Sequence, residues 1–147
     1  MKFYAGIGSR ETPSHILQVM SEDAYRLQAR GYILRSGAAE GADSAFEAGA
    51  GDQKEIWLPW RGFQNHPSRL LPSLAAFEMA ARFHPAWERC SRGARALHAR
   101  NCHQVLGADL ATPVEFVLCW TKDGRASGGT GQAIRIAEAH GIPVRYY

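Results

Sequence analysis

Short apolar runs alternate with longer amphipathic stretches along the whole chain. Residues 3–7 form an apolar run that ends in glycine, the pattern of a buried strand. Thr12-Pro13 then marks a helix start, with Thr as cap and Pro at the first helical position. Ile16, Val19, Met20, Ala24 and Leu27 keep helical spacing up to Gly31. Residues 32–34 read as a second strand, 42–50 as a small-residue helix, and 55–58 as a third strand closed by Pro59. Residues 114–120, after Pro113, give the clearest strand signal. Gly128 opens a helix through Ala133, Ile134 and Ala137 that stops at His140-Gly141, and residues 142–147 form a last strand.

The middle of the chain departs from this rhythm. Residues 61–71 look like a loop, and 72–107 are helical, with Leu74, Phe77, Ala80, Ala81, Phe83 and Trp87 on one stripe and Pro85 as a break. The order is β-α-β-α-β, a helical insertion at about 61–107, then β-α-β. Strands alternating with helices predict an α/β fold: a Rossmann-like open parallel sheet of about five strands, with helices on both faces. With 147 residues and no linker or repeat, one domain spanning 1–147 is expected. The insertion is a candidate cap over a site, and its apolar stripe makes a homodimer a possible assembly.

Composition narrows the field. At 46% apolar and 10% aromatic the chain folds rather than staying disordered. No apolar window is long enough for a membrane span, and the N-terminus does not read as a signal peptide, which makes the cytoplasm the expected location. Fourteen of the 17 basic residues are arginine, yet the net charge is only +3, too weak by itself to argue for nucleic acid. Cys90, Cys102 and Cys119 are odd in number and lack C-x-x-C spacing, so no disulfide framework is expected. His98, Cys102 and His103 hint at a metal, but free cysteine and helix-surface histidine are the commoner outcome; no metal and no cofactor is expected.

Three glycine-bearing turns follow three strands: Gly6-Ile7-Gly8-Ser9-Arg10, Ser36-Gly37-Ala38-Ala39-Glu40-Gly41-Ala42-Asp43 and Ser127-Gly128-Gly129-Thr130-Gly131. In a parallel sheet the strand C-termini share one edge, and ligands bind where the strand order reverses. Bare backbone N–H groups at helix N-termini favour an anion, above all phosphate. No dinucleotide fingerprint or P-loop is present. Trp120 and Lys122 end the fourth strand beside this edge and could meet a base and a phosphate.

These three motifs resemble the SLOG superfamily, which groups the Smf/DprA DNA-processing proteins with the LOG-type phosphoribohydrolases. Arg35-Ser36-Gly37-Ala38-Ala39-Glu40-Gly41-Ala42-Asp43 is most like the DprA motif, and the whole chain is similar to short, stand-alone DprA-like proteins often encoded by phages. The likeness covers about 1–60 and 113–147. It implies a nucleotide-type ligand held by Gly8, Ser9 and Arg10, by Ser36, Gly37, Gly41 and Asp43, and by Gly128, Gly129, Thr130 and Gly131. Arg35 is a further binding candidate from its place at a strand end, where its side chain either reaches the binding edge or packs under the sheet. The LOG motif P-G-G-x-G-T-x-x-E is not kept: Ser127 stands at its Pro, Gln132 at its Thr and Arg135 at its catalytic Glu. Hydrolysis of an N-glycosidic bond would then need an acid from Glu40, Asp43 or Asp123. Three functions follow as expectations: nucleotide binding as a sensor or sequestering module, nucleotide N-glycoside hydrolysis, and single-stranded DNA binding.

Overall fold

A computed structural model describes all residues, 1–147. Five strands form one parallel sheet: β1 (Lys2–Gly8), β2 (Tyr32–Ser36), β3 (Lys54–Ile56), β4 (Val117–Trp120) and β5 (Val144–Tyr146). Their order is β3-β2-β1-β4-β5. Helices α1 (Ser14–Ala29) and α2 (Ala42–Ala50) cover one face, and α3 (Leu74–Phe83), α4 (Arg92–Leu106) and α5 (Gly128–Ala139) the other. This is the expected Rossmann-like architecture.

β1 shows why the sheet needs both layers. Its side chains alternate: Phe3, Ala5 and Ile7 enter the core with α3, α4 and α5, while Tyr4 enters the core with α1 and α2. A strand buried on both sides reads as a continuous apolar run, which is how residues 3–7 appear in the sequence. On the α1/α2 face Tyr4 stacks on Phe116 with centroids 5.8 Å apart. Gly6 leaves space there that the Phe46 ring fills; a Cβ on Gly6 would sit 2.5 Å from that ring.

Topology explains the long middle segment. The chain leaves β3 at one edge and must return past β2 and β1 to start β4 on the far side of β1. α3 and α4 make this crossing, and α4 packs on both β1 and β2. Pro85 separates the two helices: α3 ends at Phe83, and His84 takes the extended backbone that a following proline favours. Ser73 and Ser91 cap the two helices, each accepting a backbone N–H in the first turn. Phe77, Phe83 and Trp87 of the predicted stripe pack on this chain's own core, while Leu74 stays exposed.

Several boundaries move. α1 begins at Ser14, and Thr12 donates to the Ser9 carbonyl (2.6 Å) instead of capping the helix. β4 starts at Val117, three residues later than the apolar run suggests. Residues 114–116 pair irregularly, as in Glu115 N–H to the Phe3 carbonyl (2.8 Å).

α1 and α2 meet closely at Gly49, where a Cβ would run into the Ser21 carbonyl and lie 2.9 Å from Ala24 Cβ. The Ser21 hydroxyl donates to the Ala45 carbonyl (2.7 Å) across the same seam. Gly49→Ala is expected to cost about 1–3 kcal/mol by overpacking, despite the better helix propensity of alanine, read as a lower urea midpoint at unchanged slope.

Candidate functional site

The order β3-β2-β1-β4-β5 reverses direction between β1 and β4. A cavity of about 870 Å³ opens at the C-terminal ends of these two strands. All three glycine turns reach it. Gly8, Ser9 and Arg10 come from the first, Ala39, Glu40 and Asp43 from the second, and Ser127, Gly128, Gly129 and Thr130 from the third. Lys122 lies on its wall, 3.8 Å from Glu11.

The glycines divide into two kinds. Gly41 lets the second turn close on the first, and Gly37 lets it close on α4. Gly41 has φ +85°, and a Cβ there would sit 2.8 Å from the Ser9 carbonyl oxygen. A Cβ on Gly37 would collide with Arg100 and Gln104. Gly8 is tight too, 2.7 Å from Ala42 Cβ by the same measure, and Gly131 is buried against Ala126. Gly128 and Gly129 differ: nothing lies within 4 Å of a Cβ built on either. They open α5, whose first turn no side chain caps. Its free N–H groups and positive dipole end therefore border open space.

α4, part of the insertion expected as a candidate cap, supplies one wall. Leu97, Arg100, Asn101 and Gln104 line the cavity on one helical face. Arg100 is 6% exposed and donates through Nη1 to the carbonyls of Gly37 and Trp57 (3.3 Å to the latter) and through Nε to Asn101 Oδ1 (2.9 Å). Asn101 in turn donates to the Gly129 carbonyl (2.9 Å). Burial draws the proton affinity of Arg100 down, countered by Asp43. Arg100, Asn101 and Gln104 are polar and sit beside the apolar Ala99, Cys102, Val105 and Leu106, and this contrast is the signal the sequence carries. Phe63 and Gln64, which also reach the cavity, gave no local signal.

Asp43 is 4% exposed. Its Oδ2 accepts the Ala39 N–H (3.3 Å). Burial pushes its carboxyl up to about 6, against the opposing pull of Arg100, the Ala39 and Gly37 N–H groups and the Ser36 hydroxyl. Thr121, directly after β4, is 5% exposed and its Oγ1 has no hydrogen-bond partner, although it lines the cavity. A buried hydroxyl without a partner is costly, and this one lies in the cavity wall.

Other expected residues sit elsewhere. Arg35 is 2% exposed and does not reach the rim: Nε donates to Glu55 (3.0 Å), Nη1 to the Thr112 carbonyl (2.6 Å), and the guanidinium lies over Phe3. Ser36 is behind the wall, donating to the Gly6 carbonyl (2.6 Å). Trp120 packs into the α1/α2 core instead of facing the cavity. Asp123 is outside the lining; the Ser127 hydroxyl (2.7 Å) and the Arg125 N–H hold its carboxyl below the usual range. Cys102 and His103 do not share a site: Cys102 Sγ donates to the Ala76 carbonyl, while His103 accepts from Ser73 N–H and donates to the Gly107 carbonyl.

No family model matches the chain, and no curated protein matches it. Among solved structures it matches DNA processing protein A (DprA) from Helicobacter pylori, described for its single-stranded DNA binding mode, with TM-score 0.65 and 16% identity. The fold is shared with DprA. The match covers 99% of this chain but 64% of that one, so this chain spans just under two thirds of the DprA structure. No helix here is long and apolar enough to cross a membrane.

The Asp43 carboxyl gives a pH prediction. Its proton is held more tightly in the folded than in the unfolded chain, where the ordinary value is 3.8. The resulting stabilisation is complete below 3.8 and is lost as pH rises through about 6. Asp43→Asn should therefore gain stability relative to wild type as pH climbs from 4 to 7, by about 2–3 kcal/mol. Urea midpoints of both proteins across that range test it; a constant offset would contradict it.

Proposed function

We propose that the chain binds a nucleotide or a nucleotide-derived ligand, as a sensor or sequestering module of the SLOG type. The observation that carries this is the uncapped first turn of α5, whose Gly128 and Gly129 face open space at the strand-order switch. That turn suits a phosphate. Arg10 and Lys122 add positive charge on the same cavity, and Glu40 and Asp43 on the opposite turn suit sugar hydroxyls or base N–H groups. The volume, about 870 Å³, lies within the range of small-molecule sites.

Two other readings each have one observation in favour. Asp43, pushed up to about 6, has the proton affinity of a general acid or base near neutral pH, which favours N-glycoside hydrolysis. Arg135, at the position of the LOG-type glutamate, donates to Gln132 Oε1 (2.8 Å) and offers no carboxylate. The likeness to DprA, a protein described as binding single-stranded DNA, favours a strand end or looped base in the same cavity. Against a continuous strand groove, the cavity mixes Arg10, Lys122 and Arg100 with Glu11, Glu40 and Asp43, and the net charge is +3.

Thermal melting with nucleoside mono- and diphosphates and ADP-ribose is expected to show stabilisation by at least one of them. Gly129→Leu should weaken that ligand on the order of tenfold or more without lowering the melting temperature of the free protein, because no neighbour lies within 4 Å. No shift with any compound would overturn nucleotide binding. Released base on chromatography would favour the hydrolase. Oligonucleotide binding that falls steeply with salt, without a mononucleotide shift, would favour the DNA reading.

A further inference from the structure

The far end of the crossover gathers three ligand-type side chains away from the cavity lining. His84 closes α3, Cys90 follows the 3-10 turn Trp87–Arg89, and His98 lies in the second turn of α4. One ligand atom from each falls within 4.8 Å of the others. Cys90 Sγ is 3.7 Å from His84 Nε2, and the two imidazole centroids are 4.4 Å apart. A zinc ion with ordinary tetrahedral bonds separates its sulfur and nitrogen ligands by about 3.6 Å. Nδ1 of His98 has neither solvent contact nor a hydrogen-bond partner. An unpartnered imidazole nitrogen beside a thiol and a second imidazole has the donor chemistry of a zinc ligand set.

We propose that His84, Cys90 and His98 bind a zinc ion, with the fourth position left to water, and that this ion pins the turn between α3 and α4. Thiolate and imidazole are the donors that favour zinc over the hard oxygen-seeking cations. Cys90 is the half-buried thiol of the three; Cys102 and Cys119 are buried, and burial pushes both thiols up to about 12. Burial, with Arg135 and Arg100 nearby and the two imidazoles beside each other, keeps His98 unprotonated. Those arginines also repel a cation, and the Cys90 thiolate offsets them. His84 Nδ1 accepts the Ala86 N–H (3.0 Å), so binding through Nε2 requires the proton to move to Nδ1 and that one hydrogen bond to open. Leu97, Arg100 and Asn101 lie within one turn of His98, so the ion would stiffen the α4 wall of the cavity.

Cobalt titration of the reduced, untagged protein is expected to give one equivalent of binding, with near-ultraviolet thiolate charge transfer and the visible bands of a four-coordinate site. Zinc should displace it and raise the melting temperature. Cys90→Ser and His98→Gln should each abolish the charge-transfer band and the zinc shift while keeping the metal-free melting temperature close to wild type. Absence of the band, or a band or zinc shift that survives both substitutions, would overturn the proposal. No nucleotide enters this test, so its result is independent of the cavity's ligand.

Discussion

The buried guanidinium of Arg100 is the contact on which the site depends. It joins the crossover helix to the sheet edge by donating to the carbonyls of Gly37 and Trp57, and Asn101 extends the link to Gly129. Two glycine turns, otherwise tied only through their strands, are thereby fixed against a third element. Burying a guanidinium is expensive unless its donors are satisfied. Two backbone carbonyls and the Asn101 side chain accept from its Nη1 and Nε, and Asp43 supplies a nearby opposite charge. Glycine at 37 is what allows the approach, since any side chain there would occupy the guanidinium's place.

The cavity has a mixed character. Burial raises the proton affinity of Asp43 against the opposing pull of Arg100, and the Thr121 hydroxyl has no partner within the protein. The opposite wall remains a bare helix N-terminus. One side of the cavity therefore offers positive potential and N–H donors, the other a carboxyl near its titration point. A ligand carrying a phosphate at one end and hydroxyls or a base at the other matches that division. Ala38 adds to the picture: it is a buried non-glycine residue held at φ +62°, a conformation that costs energy and is kept only where the surroundings demand it.

Much of this was legible before any coordinates. The alternation of apolar runs and amphipathic stretches located all five strands and the helices between them, because a strand covered on both faces must be apolar throughout and a helix on a sheet must be apolar on one stripe. The three glycine turns were legible as places of close backbone approach, which glycine permits, although Gly37, Gly41 and Gly131 use that freedom to pack against the protein itself. Arg35 was misplaced because position at a strand's end does not say which face the side chain takes. Its neighbours Glu55 and the Thr112 carbonyl come from distant parts of the chain. Trp120 was misplaced for the same reason: an aromatic at a strand end can fill the core as readily as face a ligand.

Local pattern by itself determined the element order, the parallel sheet and the shared edge of the glycine turns, because periodicity and turn chemistry act over a few residues. Tertiary structure alone decided which of those glycines face space and which face protein, that α4 would complete the wall, and that Asp43 would lose its water. Each of these depends on side chains separated by tens of residues meeting at one point. The long return from β3 to β4 brings them there, and no short-range signal encodes where such a crossing will press against the sheet.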